Sequence, residues 1–231
     1  MEIKFNILEG FEWAPSPHPA ADDFPGWWKE MKNYVPQEEP TEQVPTGTVK
    51  ICSPFESALG AGYMLPLPFA VSVTCDKKGA ATMRWNSPVG MDTWQLIGAH
   101  SNEQIPEAGM GLEEGTPFKF QLPYSITLPE GYRALYTHPL NRYDLPFSSF
   151  SGVLDAGYDS PVNIPFLWLG EDQTCFVDAG TPVCQVIPFK LEEWEHSSAS
   201  LSMSALMEDS RVATGFVHGY RRKFAKKQVW R

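Results

Sequence analysis

The stretch SGVLDAGYDSPVNIPF, residues 151–166, reads as a β-hairpin, and it sets the reading of the whole chain. A glycine and an apolar pair lead into Asp155. Ala156 and Gly157 then supply a tight turn, since Asp bonds its own backbone and Gly tolerates positive φ. Tyr158 follows, and a proline-limited apolar run resumes at Pro161. Asp155 is either the nucleus of this turn or a carboxylate presented at a hairpin tip, where it could serve as a general base.

The same texture continues in both directions. TVKICSPF (48–55), YMLPLPFAVSVTCD (63–76), AATMRWNS (80–87), PFKFQL (117–122), YSITLP (124–129), YRALYTHPL (132–140), PVNIPFLWL (161–169), TCFVDAG (174–180) and PVCQVIPFKL (182–191) are short runs divided by Pro, Gly, Asp or Asn. Such spacing belongs to a β-sandwich or barrel. The 21 prolines and 18 glycines among 231 residues leave little room for long helices or long central strands. The expected fold class is all-β, with a β domain over residues 48–190.

Outside that domain the pattern changes. Residues 1–47 form an N-terminal arm with one strand in EIKFNIL (2–8) and a short helix. Asp22 and Asp23 are placed to cap that helix, Pro25 to stand in its first turn, and Trp27, Trp28 and Met31 to plug into a core or a partner. His18, between Pro17 and Pro19, sits on stiff backbone and reads as structural. HSNEQIPEAGMGLEEGTP, residues 100–117, is the expected long surface loop. Residues 191–231 are a polar, Ser-rich segment that ends in a basic helix.

The net charge of −10 argues against generic nucleic-acid binding. Residues 217–231 nevertheless hold six Lys or Arg and no acid. Such a tail suits a neighbouring subunit, a phosphate group or plain solvation. Cys52, Cys75, Cys175 and Cys184 contain no CxxC pair, which predicts free, mostly buried thiols and no zinc site. No leader-like N-terminus and no apolar run of about 18 residues is present, so host cytosol or a virion is the expected location, with no membrane partner. No His is followed two places on by an acid, which disfavours a cupin-type iron site, and no Gly-x-Ser-x-Gly elbow appears.

Three stretches in order resemble the motif series of the trimeric dUTPase and dCTP deaminase superfamily. GAGYMLPLPF (60–69) is similar to the first motif, SGVLDAGYDSPVNI (151–164) to the third, uracil-reading hairpin, and DAGTPVCQVIPF (178–189) to the fourth. LPEGYRALYTHPL (128–140) stands where that family has a strand running into its second motif. The resemblance covers about residues 57–190 and implies a dUTPase-like or jelly-roll β-barrel or sandwich, flanked by short helical extensions. It also implies a homo-oligomer, with a trimer as the family's form. The chain as a whole resembles a phage and bacterial family of unknown function, through PHPAADDFPGWWK (17–29), THPLNR (137–142), PVNIPF (161–166) and GTPVCQVIPFK (180–190).

Carried over residue by residue, the enzyme resemblance makes Asp155 the base and Tyr158 the residue that closes the pocket. Gln185, Arg142 and His138 fall at its other ligand-binding positions. The charge-handling parts depart from the pattern. Met64 stands where the family has a magnesium-supporting Asp, and a thioether is a poor ligand for a hard cation. His138-Pro139-Leu140-Asn141-Arg142 replaces Arg-Ser-Gly, and Pro139 removes a backbone donor. His138 and Arg142 either join Asp144 to hold a loop or line a pocket. The glycine-rich phosphate cover has no counterpart. Phosphoryl chemistry depends on neutralising charge, so these losses outweigh one retained carboxylate. The expectation is therefore a non-catalytic homo-oligomeric binding or structural protein of phage type, without cofactor, partnered by itself or by virion proteins. The alternative is a divergent nucleotide hydrolase or sensor using Asp155, Tyr158, Gln185 and Arg142, with Mg²⁺ for catalysis.

Overall fold

A computed structural model describes residues 1–36, 46–75, 81–85, 94–100, 117–157, 160–170, 174–214, 219–226 and 228–231. The fold is mostly β-sheet with a few short helices, and every strand pairing described is antiparallel. Of the expected long loop, residues 101–116 lie outside the described residues.

The largest sheet has five strands, in the order β11 (Gly152–Asp155), β9 (Tyr132–Thr137), β14 (Pro182–Lys190), β3 (Tyr63–Pro66) and β2 (His18–Pro19). Its centre, β14, is buried at Val183, Cys184, Gln185 and Val186 in succession, so both faces are covered there and no in–out alternation survives. A second sheet runs β10 (Phe147–Ser149), β12 (Asn163–Trp168), β7 (Phe118–Gln121), β6 (Ile97–Ala99). Here alternation is plain: Phe118 and Phe120 turn inward while Lys119 and Gln121 are less buried. Phe120 stacks on Phe166 with centroids 3.8 Å apart. Burial of each such ring is worth about 2–3 kcal/mol. Pro165 fits in β12 because its carbonyl accepts from Phe150 N on the β10 side, just past the end of β10, where no ladder donor is required.

A three-stranded sheet, β13 (Thr174–Val177), β4 (Val71–Cys75) and β5 (Ala81–Trp85), and a ribbon of β1 (Lys4–Ile7) with β8 (Tyr124–Thr127) complete the strands. Among the described residues no sheet closes into a barrel. One core joins the sheets, from Phe11 and Leu67 to Phe147, Phe166 and Val183.

Two local expectations are corrected. TVKICSPF is no strand: Val49–Ile51 forms a 3₁₀ turn and Ser53–Leu59 a helix, α2. Thr48 caps the turn by accepting from Lys50 N, and Pro54 enters the first turn of α2, where its missing donor costs nothing. The helix Gly26–Glu30, α1, takes Pro25 as its N-cap rather than an aspartate. Asp23 turns instead toward His18 and Arg142. Of the tryptophan pair, Trp28 plugs into the core rather than a partner. Trp28 is buried and lies parallel to Phe55 with centroids 5.6 Å apart, and the Lys50 ammonium sits 5.1 Å from its ring.

Of the free cysteines described, only Cys184 is buried, and burial pushes its thiol up to about 12. Residues 191–202 run without regular structure and are exposed throughout. They lead to the helix Met203–Thr214, α3, and then to Gly219–Lys223, α4. The chain next returns to the body, where Trp230 packs edge-on against Tyr63 and Tyr63 Oη donates to the Arg231 carbonyl at 3.2 Å. No described helix is long and apolar enough to cross a membrane.

Candidate functional site

Gln185 is where the strands bearing the resemblance meet. It pairs across β14 with Met64 on β3 and, on the other side, with Thr137 on β9. Its side chain is fully buried. Oε1 accepts from Leu140 N at 2.7 Å, and Nε2 donates to the carbonyls of Ala58 at 3.0 Å and Ala61 at 2.6 Å. One amide therefore ties the end of α2, the turn before β3 and the loop after β9. A buried amide must find such partners or lose several kcal/mol, about 1–3 for each group left unpaired.

The loop after β9 is pinned by its own side chains. Asn141 takes a left-handed conformation, φ +59°, which Asn tolerates better than most residues. His138 Nδ1 accepts from Ser149 N at 3.3 Å. That leaves the proton on Nε2, which donates to the Arg142 carbonyl at 3.1 Å. Burial holds His138 below its usual pKa, with the Arg142 carbonyl bond opposing and the nearby guanidinium reinforcing the shift.

Arg142 is 7% exposed and bonds Asp144 through Nε at 3.0 Å and Nη2 at 3.1 Å. Nη1 lies 3.8 Å from Asp23 Oδ2, and Trp27 Nε1 donates to Asp144 Oδ1 at 3.3 Å. Burial works against the charge on Asp144, but the Arg142 hydrogen bond and charge prevail and hold its carboxyl below the ordinary value. His18 Nε2 stands 3.8 Å from the same Asp23 oxygen. The Asp23 carboxylate raises the His18 pKa, against an opposing contribution from burial. Asp23 and His18 belong to this cluster although the sequence reading gave them no site role.

Asp155 stands apart. It closes β11 opposite Arg133 on β9, and Arg133 Nε donates to its Oδ1 at 2.5 Å. Arg133 is four residues along β9 from Thr137, the partner of Gln185, which amounts to about 13 Å at strand rise. Gln185, His138 and Arg142 thus share one cluster and Asp155 does not. Gly157 takes φ +87° in the turn after it, and Tyr158 lies outside the described residues.

The donors do not fit a hard divalent cation. Met64 is buried on β3, and the Asp155 carboxylate is engaged by a guanidinium. Among the described residues no three His, Cys, Asp or Glu side chains come together to hold a metal ion.

No protein-family model matches the chain, and no curated protein matches it in sequence. Solved phage dUTPases are similar in fold. The dUTPase from phage phi11 of S. aureus is 11% identical, with 88% of this chain and 99% of that chain covered at a TM-score of 0.41. The dUTPase of Staphylococcus bacteriophage 80alpha with dUpNHpp is 12% identical, with 87% of this chain and 90% of that chain covered at a TM-score of 0.40.

Proposed function

We propose that the chain is a non-catalytic, self-associating binding or structural protein of phage type, acting in the host cytosol or within a virion. One observation carries this reading: the Gln185 amide, which a nucleotide-reading site would keep for its ligand, is sealed from solvent and bonded to three backbone groups. Arg142 is likewise committed to Asp144 and Asp23 rather than turned toward a phosphate. These side chains stabilise the β scaffold.

Self-association is supported by the segment after β14. Trp194 is 85% exposed, and Leu201, Met203, Leu206 and Met207, further along the chain, are exposed as well. Trp and Met are both enriched at protein interfaces, where Trp is a common anchor. The same segment carries Glu193 and Glu195, and α4 carries Arg222 beside Arg221, which Glu56 already engages. A second copy therefore offers matching charge to this arm, and a head-to-tail contact of this kind closes into a ring when the rotation permits.

The test has two arms. Sedimentation at micromolar concentration should give a mass of two or more chains, and Trp194→Ser should lower it. A nucleotide panel with Mg²⁺ should release no pyrophosphate. A single-chain mass would overturn the assembly. Pyrophosphate release abolished by Asp155→Asn would replace this reading with the nucleotide hydrolase.

A further inference from the structure

A cleft of about 750 Å³ opens between α2 and the returning C-terminal segment. Its size suits a small organic ligand. Phe24 and Trp230 contribute aromatic surface to its walls, Ser53 and Glu56 line it from α2, and Arg221 and Lys226 line it from the opposite side.

Both rings are held in place before any ligand arrives. Phe24 meets Trp28 edge-on, with centroids 6.1 Å apart and planes at 78°, and Trp230 meets Tyr63 at 5.8 Å and 76°. Fixed aromatic walls accept a planar ring at little ordering cost. The charges are also informative. Arg221 pairs with Glu56 across the cleft, so these two cancel. Lys226 makes no ion pair among the described residues. One cation is left over beside the aromatic walls of the cleft. Ser53, itself buried, adds a hydroxyl on the α2 side.

We infer that this cleft is a binding site for a small planar aromatic ligand bearing a single anionic group, a carboxylate or a phosphate. The ring lies between Phe24 and Trp230, and the anionic group meets Lys226. One uncompensated cation favours a single anionic group over a polyphosphate chain. The site is built within one chain, so it does not depend on the assembly proposed above, and it shares no lining residue with the Gln185–Arg142 cluster except the backbone turn at Ala61.

The test is titration calorimetry of the full chain with phenyl phosphate, indole-3-acetate, indole and inorganic phosphate. Either or both aromatic anions should bind, the tighter of them identifying the head group. Indole and inorganic phosphate should each bind roughly tenfold or more weakly, because each keeps only one of the two interactions. Lys226→Ala should weaken the aromatic anions roughly tenfold while leaving the melting temperature unchanged, since the side chain is exposed. Trp230→Leu should weaken them as well; should it unfold the tail, the Lys226→Ala result stands alone. The site is refuted when neither aromatic anion binds, when inorganic phosphate binds as tightly as phenyl phosphate, or when Lys226→Ala leaves the affinities intact.

Discussion

Arg142 and Asp144 clasp each other through two donor–acceptor pairs, Nε to Oδ1 at 3.0 Å and Nη2 to Oδ2 at 3.1 Å, while Nη1 reaches the Asp23 carbonyl at 3.4 Å. The guanidinium thereby joins the loop after β9 to the segment preceding α1. Arg142 is buried but the Asp144 side chain is 36% exposed, so removing the guanidinium leaves a carboxylate that water partly solvates, at a cost of about 1–3 kcal/mol. Arg142→Ala should therefore lower the urea midpoint strongly. Arg142→Lys should recover little, because an ammonium cannot reproduce the planar two-pronged contact. A midpoint for Arg142→Ala near that of the wild type would show the clasp to be solvated and dispensable.

Gln185 offers a sharper test, since it both accepts and donates. Gln185→Glu at neutral pH keeps the bond from Leu140 N but turns an oxygen toward the carbonyls of Ala58 and Ala61. The loss of two buried donor contacts, together with a buried charge, should cost about 3 kcal/mol or more. Protonation restores one donor, so the deficit should shrink as the pH falls. Chemical denaturation at two pH values measures it, and a deficit that grows toward low pH contradicts the account.

Much of the β architecture was legible because strands announce themselves locally. PFKFQL alternates Phe118 and Phe120 against Lys119 and Gln121, and it became β7 with that phase. PVCQVIPFKL became β14 although Gln185 breaks the apolar run. What was not legible is where a polar side chain finds its partners. Nothing around Gln185 in sequence points to Ala58, Ala61 and Leu140, which lie 45 to 127 positions away. The Asp22–Asp23 pair looked like a helix cap because such caps are local, yet Asp23 is drawn to Arg142, 119 positions distant. TVKICSPF misled for the opposite reason: β-branched composition suggested a strand, while Thr48 and Pro54 favoured a capped turn and a helix start.

Two glycines with positive φ should respond differently to alanine. Gly62, φ +68°, precedes β3, and a Cβ there would drive into the Val186 carbonyl of β14. Gly62→Ala should combine the strain of a left-handed alanine, about 1–2 kcal/mol, with displacement of the central ladder. Gly157, φ +87°, has open space around its Cα, so Gly157→Ala carries the conformational strain alone. Thermal melts of the two variants should separate clearly, with Gly62→Ala the lower. Equal melting temperatures would mean that the β3–β14 contact yields without cost.

Two histidines should give stability opposite pH slopes on either side of neutrality. His18 is raised above its ordinary value by the Asp23 carboxylate 3.8 Å away, despite burial, with the Ser16 carbonyl and the charge of Asp22 adding to the rise. Arg142 approaches the same Asp23 carboxylate from the loop after β9. A raised folded value means that the His18 contribution is fully present below the unfolded value, near 6.5, and is lost as the pH climbs through the folded value above it. His138 runs the other way. Burial lowers it, so its contribution is present above about 6.5 and is lost as the pH falls through the depressed folded value. His18→Gln should accordingly remove the decline on the alkaline side of 6.5 and leave the acid side alone. His138→Gln should flatten the acid side, with the base-line stability lowered by whatever the Ser149 and Arg142 backbone contacts contribute. Urea midpoints from pH 5 to 8 read both slopes, and an alkaline decline that persists unchanged in His18→Gln would show that Asp23 does not hold that imidazolium.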